Sequence, residues 1–365
     1  MSINRTYDTW FQWLVQLWPD SSCPRIRNTA WFLTGLQESH SVQLHWIARK
    51  IPGVAKLPSR IRRLTRFLQS TRWRVRPSYA PIAKALLQDL ANTLGEIRLI
   101  ADGSQVAFHH QLLLISVAYR RRAVPIAWTW IPSARGHSSA WRQLALLAYV
   151  RQLLPSDTPV LLVGDAEFGA VEVQDRVDAW GWKYVLRQKS NNQVRRNAQD
   201  AWQDFGSLVQ KPGQRVWWPN ACLTVKHERR VNLLAYWQVG ETEAWFLATN
   251  LPTPADTVRA YHRRMWTEET FGDLKGHGFH LGSTHLRHFE RLSHLTLLVV
   301  LLYVWMLWVG VRTIQRGQRH WVDRRDRRDL SIFQIGWRFI DRFLINGEPL
   351  PNALKPIALL KMSGG

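Results

Sequence analysis

Hydrophobic and polar positions recur with a helical period over the first quarter of the chain. Residues 39–51 and 60–68 both show this spacing, and Pro52-Gly53 separates the two predicted helices. The second helix has an apolar side and a cationic side. The apolar side carries Ile61, Leu64, Phe67 and Leu68, and the cationic side carries Arg62, Arg63 and Arg66. This pattern predicts a helical, basic domain over residues 1–94.

Short apolar runs replace that period in the next hundred residues. The predicted strands cover 97–102, 112–119, 124–131, 159–165 and 183–187, with helices at 138–154 and before the last strand. The second and third strands flank Arg120, Arg121 and Arg122, which indicates a hairpin with a basic tip. The predicted order is three strands, a helix, a strand, a second helix and a last strand. This order is typical of a mixed α/β sheet with an antiparallel first half, as in ribonuclease-H-like folds.

Aromatic residues and turn residues mix between 190 and 250, which predicts a β-rich insertion in the α/β fold. The predicted core therefore occupies 95–189 and resumes at 251–315, and a helical C-terminal region follows at 316–365. Each tryptophan of the insertion either fills a small sheet or stacks on an unpaired or flipped base. The candidates for stacking are Trp217, Trp218 and Trp237.

Residues 295–311 form an apolar run of a length that suits either a buried core helix or a short membrane span. The run is isolated and contains Tyr303, Trp305 and Trp308, which favours the core helix. The N-terminal residues lack the uninterrupted apolar segment of a signal peptide. We therefore expect a cytoplasmic protein with no membrane partner.

Charge changes this picture by indicating a partner. The chain has 49 Lys and Arg against 27 Asp and Glu, a net charge of +22, which favours nucleic acid as the partner before a membrane surface. Residues 54–76 contain eight basic residues and no acid, which suits phosphate contacts, although a solvated basic helix has the same composition. The two cysteines are far apart, which excludes a disulfide framework or thiolate zinc site.

One predicted helix, residues 261–275, concentrates polar chemistry on a narrow stripe. At about 100° per residue, its four polar members fall within roughly 60°, whereas Glu269 and Asp273 fall outside. The members of the stripe are Tyr261, Arg264, Glu268 and Lys275. The alternative interpretation is a solvated helix face with ordinary charge pairs.

Two aspartates end predicted strands, Asp102 the first and Asp165 the fourth. Although Asp commonly opens a turn after a strand, carboxylates at the same edge of adjacent central strands can also converge. With Glu268 they would provide three oxygen ligands for two Mg²⁺ ions about 3.5–4 Å apart, which activate a water or a 3′-hydroxyl for phosphoryl transfer.

These residues resemble the bacterial insertion-sequence DDE transposases defined by the signature Tyr-x2-Arg-x3-Glu-x6-Lys, which carry a β insertion. The stripe residues match the signature, and Ala101-Asp102-Gly-Ser-Gln-Val and Gly164-Asp165-Ala-Glu-Phe168 resemble the two aspartate blocks of that family. Trp245-Phe-Leu-Ala-Thr-Asn250 resembles the strand that returns from the insertion. The similarity extends over residues 30–310.

The resemblance implies a cut-and-paste transposase with a ribonuclease-H-like core. Asp102, Asp165 and Glu268 would bind two Mg²⁺ ions, for which Mn²⁺ substitutes. Tyr261, Arg264 and Lys275 would hold phosphates near the cleaved end, which is freed through a DNA hairpin and joined by its 3′-hydroxyl to target DNA. The partners would be the inverted terminal repeats, target DNA and a second copy of the chain in the synaptic complex, with the protein on the nucleoid.

Two other functions stay open at the level of sequence. The acidic site could serve a metal-dependent nuclease without strand transfer, or it could be idle in a DNA-binding protein descended from a transposase. The complete set of three carboxylates and the full signature argue against the idle site.

Overall fold

The structure is a computed structural model that describes residues 2–106, 110–132, 138–326, 328–351 and 354. The described chain folds into two compact units. One contains residues up to 89 and from 271 onward, and the other contains residues 90–105 and 110–270. The first unit is helical, whereas the second is built on a sheet.

The α-helices of the described residues follow in chain order. They are α1 (Ser2–Leu17), α2 (Cys23–Ser39), α3 (Leu44–Lys50), α4 (Leu57–Leu68), α5 (Val75–Leu94), α6 (Ala140–Arg151), α7 (Val171–Ala179), α8 (Pro254–Tyr261), α9 (Trp266–Gly272), α10 (Phe289–Gln315) and α11 (Ile332–Ile345).

The strands all belong to one sheet. They are β1 (Ile97–Gln105), β2 (Gln111–Tyr119), β3 (Arg122–Ile131), β4 (Val160–Gly164), β5 (Lys183–Arg187), β6 (Gln193–Arg195), β7 (Gln203–Asp204), β8 (Arg215–Leu223), β9 (Arg229–Tyr236) and β10 (Trp245–Thr249). The prediction of a mixed α/β fold is confirmed.

Helix α4 confirms the amphipathic pattern seen in the sequence. Pro58 lies in its first turn, where a missing amide hydrogen has no cost. Its buried residues are Leu64, Phe67 and Leu68. The opposite side carries three exposed arginines, called here the α4 arginines: Arg62, Arg63 and Arg66.

The first unit has its core at the long helix α10. This helix is apolar and long enough to cross a membrane, but the whole apolar stretch is buried inside the protein, as in a core helix. Helix α11 crosses it at two glycines, since a Cβ on Gly310 would lie 2.0 Å from the Ile332 oxygen and one on Gly336 would lie 1.9 Å from the Met306 oxygen. Backbone therefore packs on backbone at this crossing.

The sheet of the second unit has the order β3-β2-β1-β4-β5-β10-β9-β8-β6-β7. Strands β1, β2 and β3 are antiparallel neighbours, and β4 lies parallel to both β1 and β5. The antiparallel first half is thus as predicted. Strands β6 to β9, from the predicted insertion, extend the same sheet through β10, which pairs with β5.

The β2–β3 hairpin is tighter than the sequence suggested. Only Arg120 and Arg121 form its turn, and both have left-handed backbone, with φ of 46° and 64°. Two consecutive residues with positive φ match the right-handed twist of the flanking strands. Arg122, predicted at the tip, is instead the first residue of β3 and is buried.

The prediction of one regular helix over 261–275 is wrong. Helix α8 ends at Tyr261, a 3₁₀ helix covers His262–Met265, α9 follows, and a π-helical segment covers Asp273–His277. The unit boundary lies inside this stretch, between 270 and 271. The 100° wheel therefore holds only locally.

Candidate active site

The two aspartates lie side by side on β1 and at the end of β4. The last parallel pair is Ala101 with Gly164, and the Asp165 amide donates to the Ala101 oxygen at 3.3 Å. Strand β1 does not end at Asp102 as predicted, because it continues to Gln105 beside β2. Asp165 does leave its strand, and its Oδ1 accepts from the Ala166 amide at 2.7 Å, capping a 3₁₀ turn.

Arg264 joins one of these aspartates to the glutamate of the signature. Its Nη1 donates to Asp102 Oδ2 at 3.1 Å, and its Nη2 donates to Glu268 Oε1 at 2.7 Å. The Arg264 and Asp102 side chains are only 7% and 4% exposed, whereas that of Glu268 is 56% exposed. One buried guanidinium therefore bridges a buried carboxylate and one open to solvent.

The electrostatics extend this arrangement to Asp165. Burial lowers the pKa of the Arg264 guanidinium, but Tyr261 and the carboxylates of Asp102, Asp165 and Glu268 outweigh burial and leave that pKa above its usual value. Arg264 therefore stays charged, as a buried cation among three acids.

Tyr261 supplies a neutral hydroxyl to the same site. The side chain is fully buried and packs against the Trp245 ring, with centroids 5.0 Å apart. Burial raises the pKa of Tyr261, and Arg264 and Arg187 oppose this shift less strongly. Its hydroxyl has no hydrogen-bond partner among the described residues, so it is a donor available for an oxygen ligand.

The neighbouring acid on the helix has another partner. Glu269 lies 3.6 Å from Arg122 of β3 and is 64% exposed, in agreement with its position outside the predicted stripe. Lys275 belongs to the other compact unit, where its amino group lies 5.6 Å from the Phe271 ring. Of the four signature residues, the second unit thus contains Tyr261, Arg264 and Glu268.

The basic candidates outside the signature are at the surface. The α4 arginines are exposed in the first unit, and the guanidinium of Arg63 lies 4.4 Å from the Trp31 ring centroid. In the second unit, Arg121 is exposed at the hairpin turn. These cations are accessible to a polyanion.

The three candidate tryptophans are half-buried. Trp217 and Trp218 are neighbours on β8, so their side chains point to opposite faces. Trp217 packs against the hydrophobic cluster that contains Tyr261. The Trp237 Nε1 donates to the Glu241 oxygen at 3.0 Å.

Sequence reasoning missed two features near the aspartates. Trp141, in the first turn of α6, is 70% exposed, which no local pattern indicated. Glu167, two residues after Asp165, accepts hydrogen bonds from Gln111 Nε2 at 2.5 Å and from the Ser138 amide at 2.9 Å. The partners of Glu167 are too distant in the chain to be read from a local pattern.

The donor chemistry of the site fits a hard divalent cation. Carboxylate oxygens are the ligands that Mg²⁺ prefers, and the carboxylates of Asp102, Asp165 and Glu268 all help to raise the pKa of Arg264. Within the described residues, however, no three Asp, Glu, His or Cys side chains are close enough to hold one ion.

One segment of the chain matches a known protein family. Residues 136–305 match a family model described as a transposase DDE domain, a segment that includes Asp165 and Glu268 but begins after Asp102. This match supports a DDE transposase. No curated protein matches the chain. A cryo-EM structure of the piggyBac transposase synaptic complex with hairpin DNA is similar over 99% of this chain and 83% of that one, with a TM-score of 0.44 and 8% identity.

Proposed function

We propose that the protein is a metal-dependent DNA transposase that moves an insertion sequence by a cut-and-paste route. The observation that carries the proposal is the arrangement of three acids: Arg264 bonds to Asp102 and Glu268, and Asp165 follows the strand paired with that of Asp102. The match of residues 136–305 to a transposase DDE domain supports the same reaction class. The order of β1 to β5, with three antiparallel strands followed by two parallel ones, supports a ribonuclease-H-like core.

Asp102, Asp165 and Glu268 would hold the divalent metal, two Mg²⁺ ions or Mn²⁺ in their place. When bound, the metal activates the attacking water or 3′-hydroxyl and stabilises the leaving oxygen. The residues contribute through their charge and position. Asp102 is buried and fixed within a strand, whereas Glu268 is open to solvent and can change partners.

Arg264 and Tyr261 would bind the DNA backbone beside the metal. The planar fork of the Arg264 guanidinium is suited to phosphate oxygens, and its partner Glu268 is open to solvent. Tyr261 keeps its proton because burial raises its pKa. Its hydroxyl, which has no partner among the described residues, would therefore donate to a phosphate oxygen, whereas a phenolate would repel it. Lys275 would also bind a phosphate, as its place in the signature implies.

The basic surfaces would bind DNA outside the site. The α4 arginines and Arg121 are exposed cations that suit sequence-independent phosphate contacts with the terminal repeats or the target. Trp217, Trp218 and Trp237 are the candidates for stacking on a flipped base if the end is freed through a hairpin. A second copy of the chain would pair the two ends in a synaptic complex, on the nucleoid in the cytoplasm.

The test uses the full chain with duplex DNA that carries the terminal repeats of its element and with Mg²⁺. We expect cleavage at the repeat, a hairpin on the freed end, and joined products with target DNA. Asp102→Ala, Asp165→Ala and Glu268→Ala should each abolish cleavage and leave DNA binding intact. Glu269→Ala is the matched control, because this acid lies on the same helix and pairs with Arg122 instead.

The products separate the three candidate functions. Cleavage without joining would identify a nuclease, and a mobility shift without cleavage would identify a DNA-binding protein with an idle site. Loss of activity in Glu269→Ala with activity retained in Glu268→Ala would show that the wrong acid is assigned.

A further inference from the structure

The backbone ladder between β1 and β4 stops just before the two aspartates. Its last pair is Ala101 with Gly164, and the amide of Asp165 adds one more bond to Ala101. Beyond this point β1 continues beside β2, while the chain after Asp165 turns into a 3₁₀ helix, Ala166–Phe168. The spacing between Asp102 and Asp165 therefore depends on how this turn is fixed against β1.

Glu167, within that turn, makes three connections to other elements. Its Oε2 accepts from Gln111 Nε2 on β2 at 2.5 Å, and its Oε1 accepts from the Ser138 amide before α6 at 2.9 Å. Its backbone oxygen accepts from Gln143 Nε2 of α6 at 2.7 Å. We call these four residues the Glu167 clamp. Gln111 and Gln143 are buried, so the bonds are shielded from water.

The clamp crosses β1 at Gly103, the residue after Asp102. A Cβ at Gly103 would lie 2.5 Å from Gln111 Nε2 and 2.6 Å from Glu167 Oε2. Only glycine therefore allows the two side chains to meet over the strand. The clamp thus spans from the Asp165 turn across β1 to β2, where the backbone ladder no longer connects the turn to β1.

We propose that Glu167 is a positioning residue that holds Asp165 opposite Asp102 at the distance a shared metal requires. This rests on the proposed function, because it assigns both aspartates to the metal. Glu167 acts through the turn and does not itself bind the ion or the DNA. Supporting groups of this kind typically change metal affinity or activity by about 10–100-fold when they are removed.

Three variants separate positioning from chemistry. Glu167→Ala removes both side-chain bonds. Glu167→Gln can keep both, because its carbonyl accepts from Ser138 and its amide can donate to Gln111 Oε1, which is buried and without a partner among the described residues. Gly103→Ala opens the clamp without removing the Glu167 carboxyl group, since the new Cβ pushes apart the ends of two flexible side chains. The exposed Glu172, at the start of α7, provides the matched control Glu172→Ala.

Two readouts are measured on the full chain. Electron paramagnetic resonance follows Mn²⁺ binding without DNA, and the Mg²⁺ concentration for half-maximal cleavage is measured with DNA carrying the terminal repeats. In Glu167→Ala and Gly103→Ala we expect the dissociation constant for Mn²⁺ and the half-maximal Mg²⁺ concentration each to rise about 10–100-fold. Cleavage should recover at saturating metal. Glu167→Gln should stay within about threefold of the native protein, and Glu172→Ala should be unchanged.

Unchanged metal dependence in Glu167→Ala overturns the proposal, even if the native protein cleaves normally. A Glu167→Gln variant that is as inactive as Asp165→Ala at every metal concentration also overturns it, because Glu167 would then be a reacting group. If the native protein binds Mn²⁺ but does not cleave DNA, the proposed function fails; weaker Mn²⁺ binding in Glu167→Ala would still support positioning. Absence of Mn²⁺ binding in the native protein overturns both.

Discussion

Arg264→Ala is the perturbation that tests the site most directly. The change removes the guanidinium that lies 3.1 Å from Asp102 and 2.7 Å from Glu268. Asp102 is 4% exposed, so its charge loses a buried partner, whereas Glu268 is 56% exposed and returns to water. The two halves of the bridge should therefore contribute very differently to stability.

The magnitude follows from this difference in burial. Removing one partner of a buried ion pair costs about 3–5 kcal/mol, because the charge of the other partner stays buried. An exposed pair contributes at most about 1 kcal/mol. We therefore expect Arg264→Ala to lower the free energy of unfolding by about 3–5 kcal/mol, nearly all of it through Asp102.

Two double-mutant cycles measure each half. With Asp102→Asn the loss caused by Arg264→Ala should shrink by about 2–3 kcal/mol, whereas with Glu268→Ala it should shrink by less than about 1 kcal/mol. Urea unfolding followed by tryptophan fluorescence provides the signal, since the chain has 21 tryptophans. Arg263→Ala is the matched control, because this neighbouring arginine donates only a 3.4 Å bond to the Arg259 oxygen.

Mg²⁺ adds a second test of the same reasoning. If a metal and Arg264 compete for the acids, Mg²⁺ should stabilise Arg264→Ala more than the native protein. The reasoning is refuted if Arg264→Ala loses less than about 1 kcal/mol, if both cycles give equal coupling, or if Mg²⁺ stabilises both proteins equally.

Three further predictions concern other parts of the chain. Replacing the α4 arginines by Ala should reduce the slope of log DNA affinity against log salt concentration by about one for each phosphate that is no longer neutralised. Filter binding at several salt concentrations measures this slope, and an unchanged slope would contradict the prediction. Burial, and secondarily Glu38, raises the pKa of Asp341 to about 7. The folded protein therefore holds this proton more tightly than the unfolded chain does, and the resulting stability is lost as the pH rises towards 7. In thermal melts, Asp341→Asn should stabilise the protein at pH 8 but not at pH 4. Gly310→Ala should destabilise the first unit by about 1–3 kcal/mol, because its Cβ meets backbone. A Tm equal to that of the control Gly282→Ala, whose Cβ would meet nothing within 4 Å, would refute the close packing.

The sequence predicted the strands that position the site because their apolar runs are local signals. Strands β2, β4 and β5 lie within a residue or two of their predicted ranges, and helix α4 has the predicted buried side. The stripe was predicted on a regular helix that the chain does not form. Arg264 and Glu268 still meet, because residues four apart remain neighbours even where a 3₁₀ turn passes into an α-helix.

Other features depend on contacts that no local pattern contains. The bond between Gln111 and Glu167 joins residues 56 positions apart, and that between Arg264 and Asp102 joins residues 162 apart. The regular wheel also gave no sign of the π-helical segment that contains Lys275. The continuation of β1 past Asp102 depends on pairing with β2, which the sequence of β1 does not specify.

The return of β10 beside β5 has a consequence for how this chain can vary. The chain segment between β5 and β10 starts and ends at neighbouring positions of the sheet, because Leu247 is the partner of Arg187. Its two ends are therefore held at a fixed, short separation, whatever lies between them. Since lengthening a closed loop costs only about 0.6 kcal/mol per doubling, insertions at the turns between β6 and β9 should cost little stability, whereas the strands themselves pack on the core.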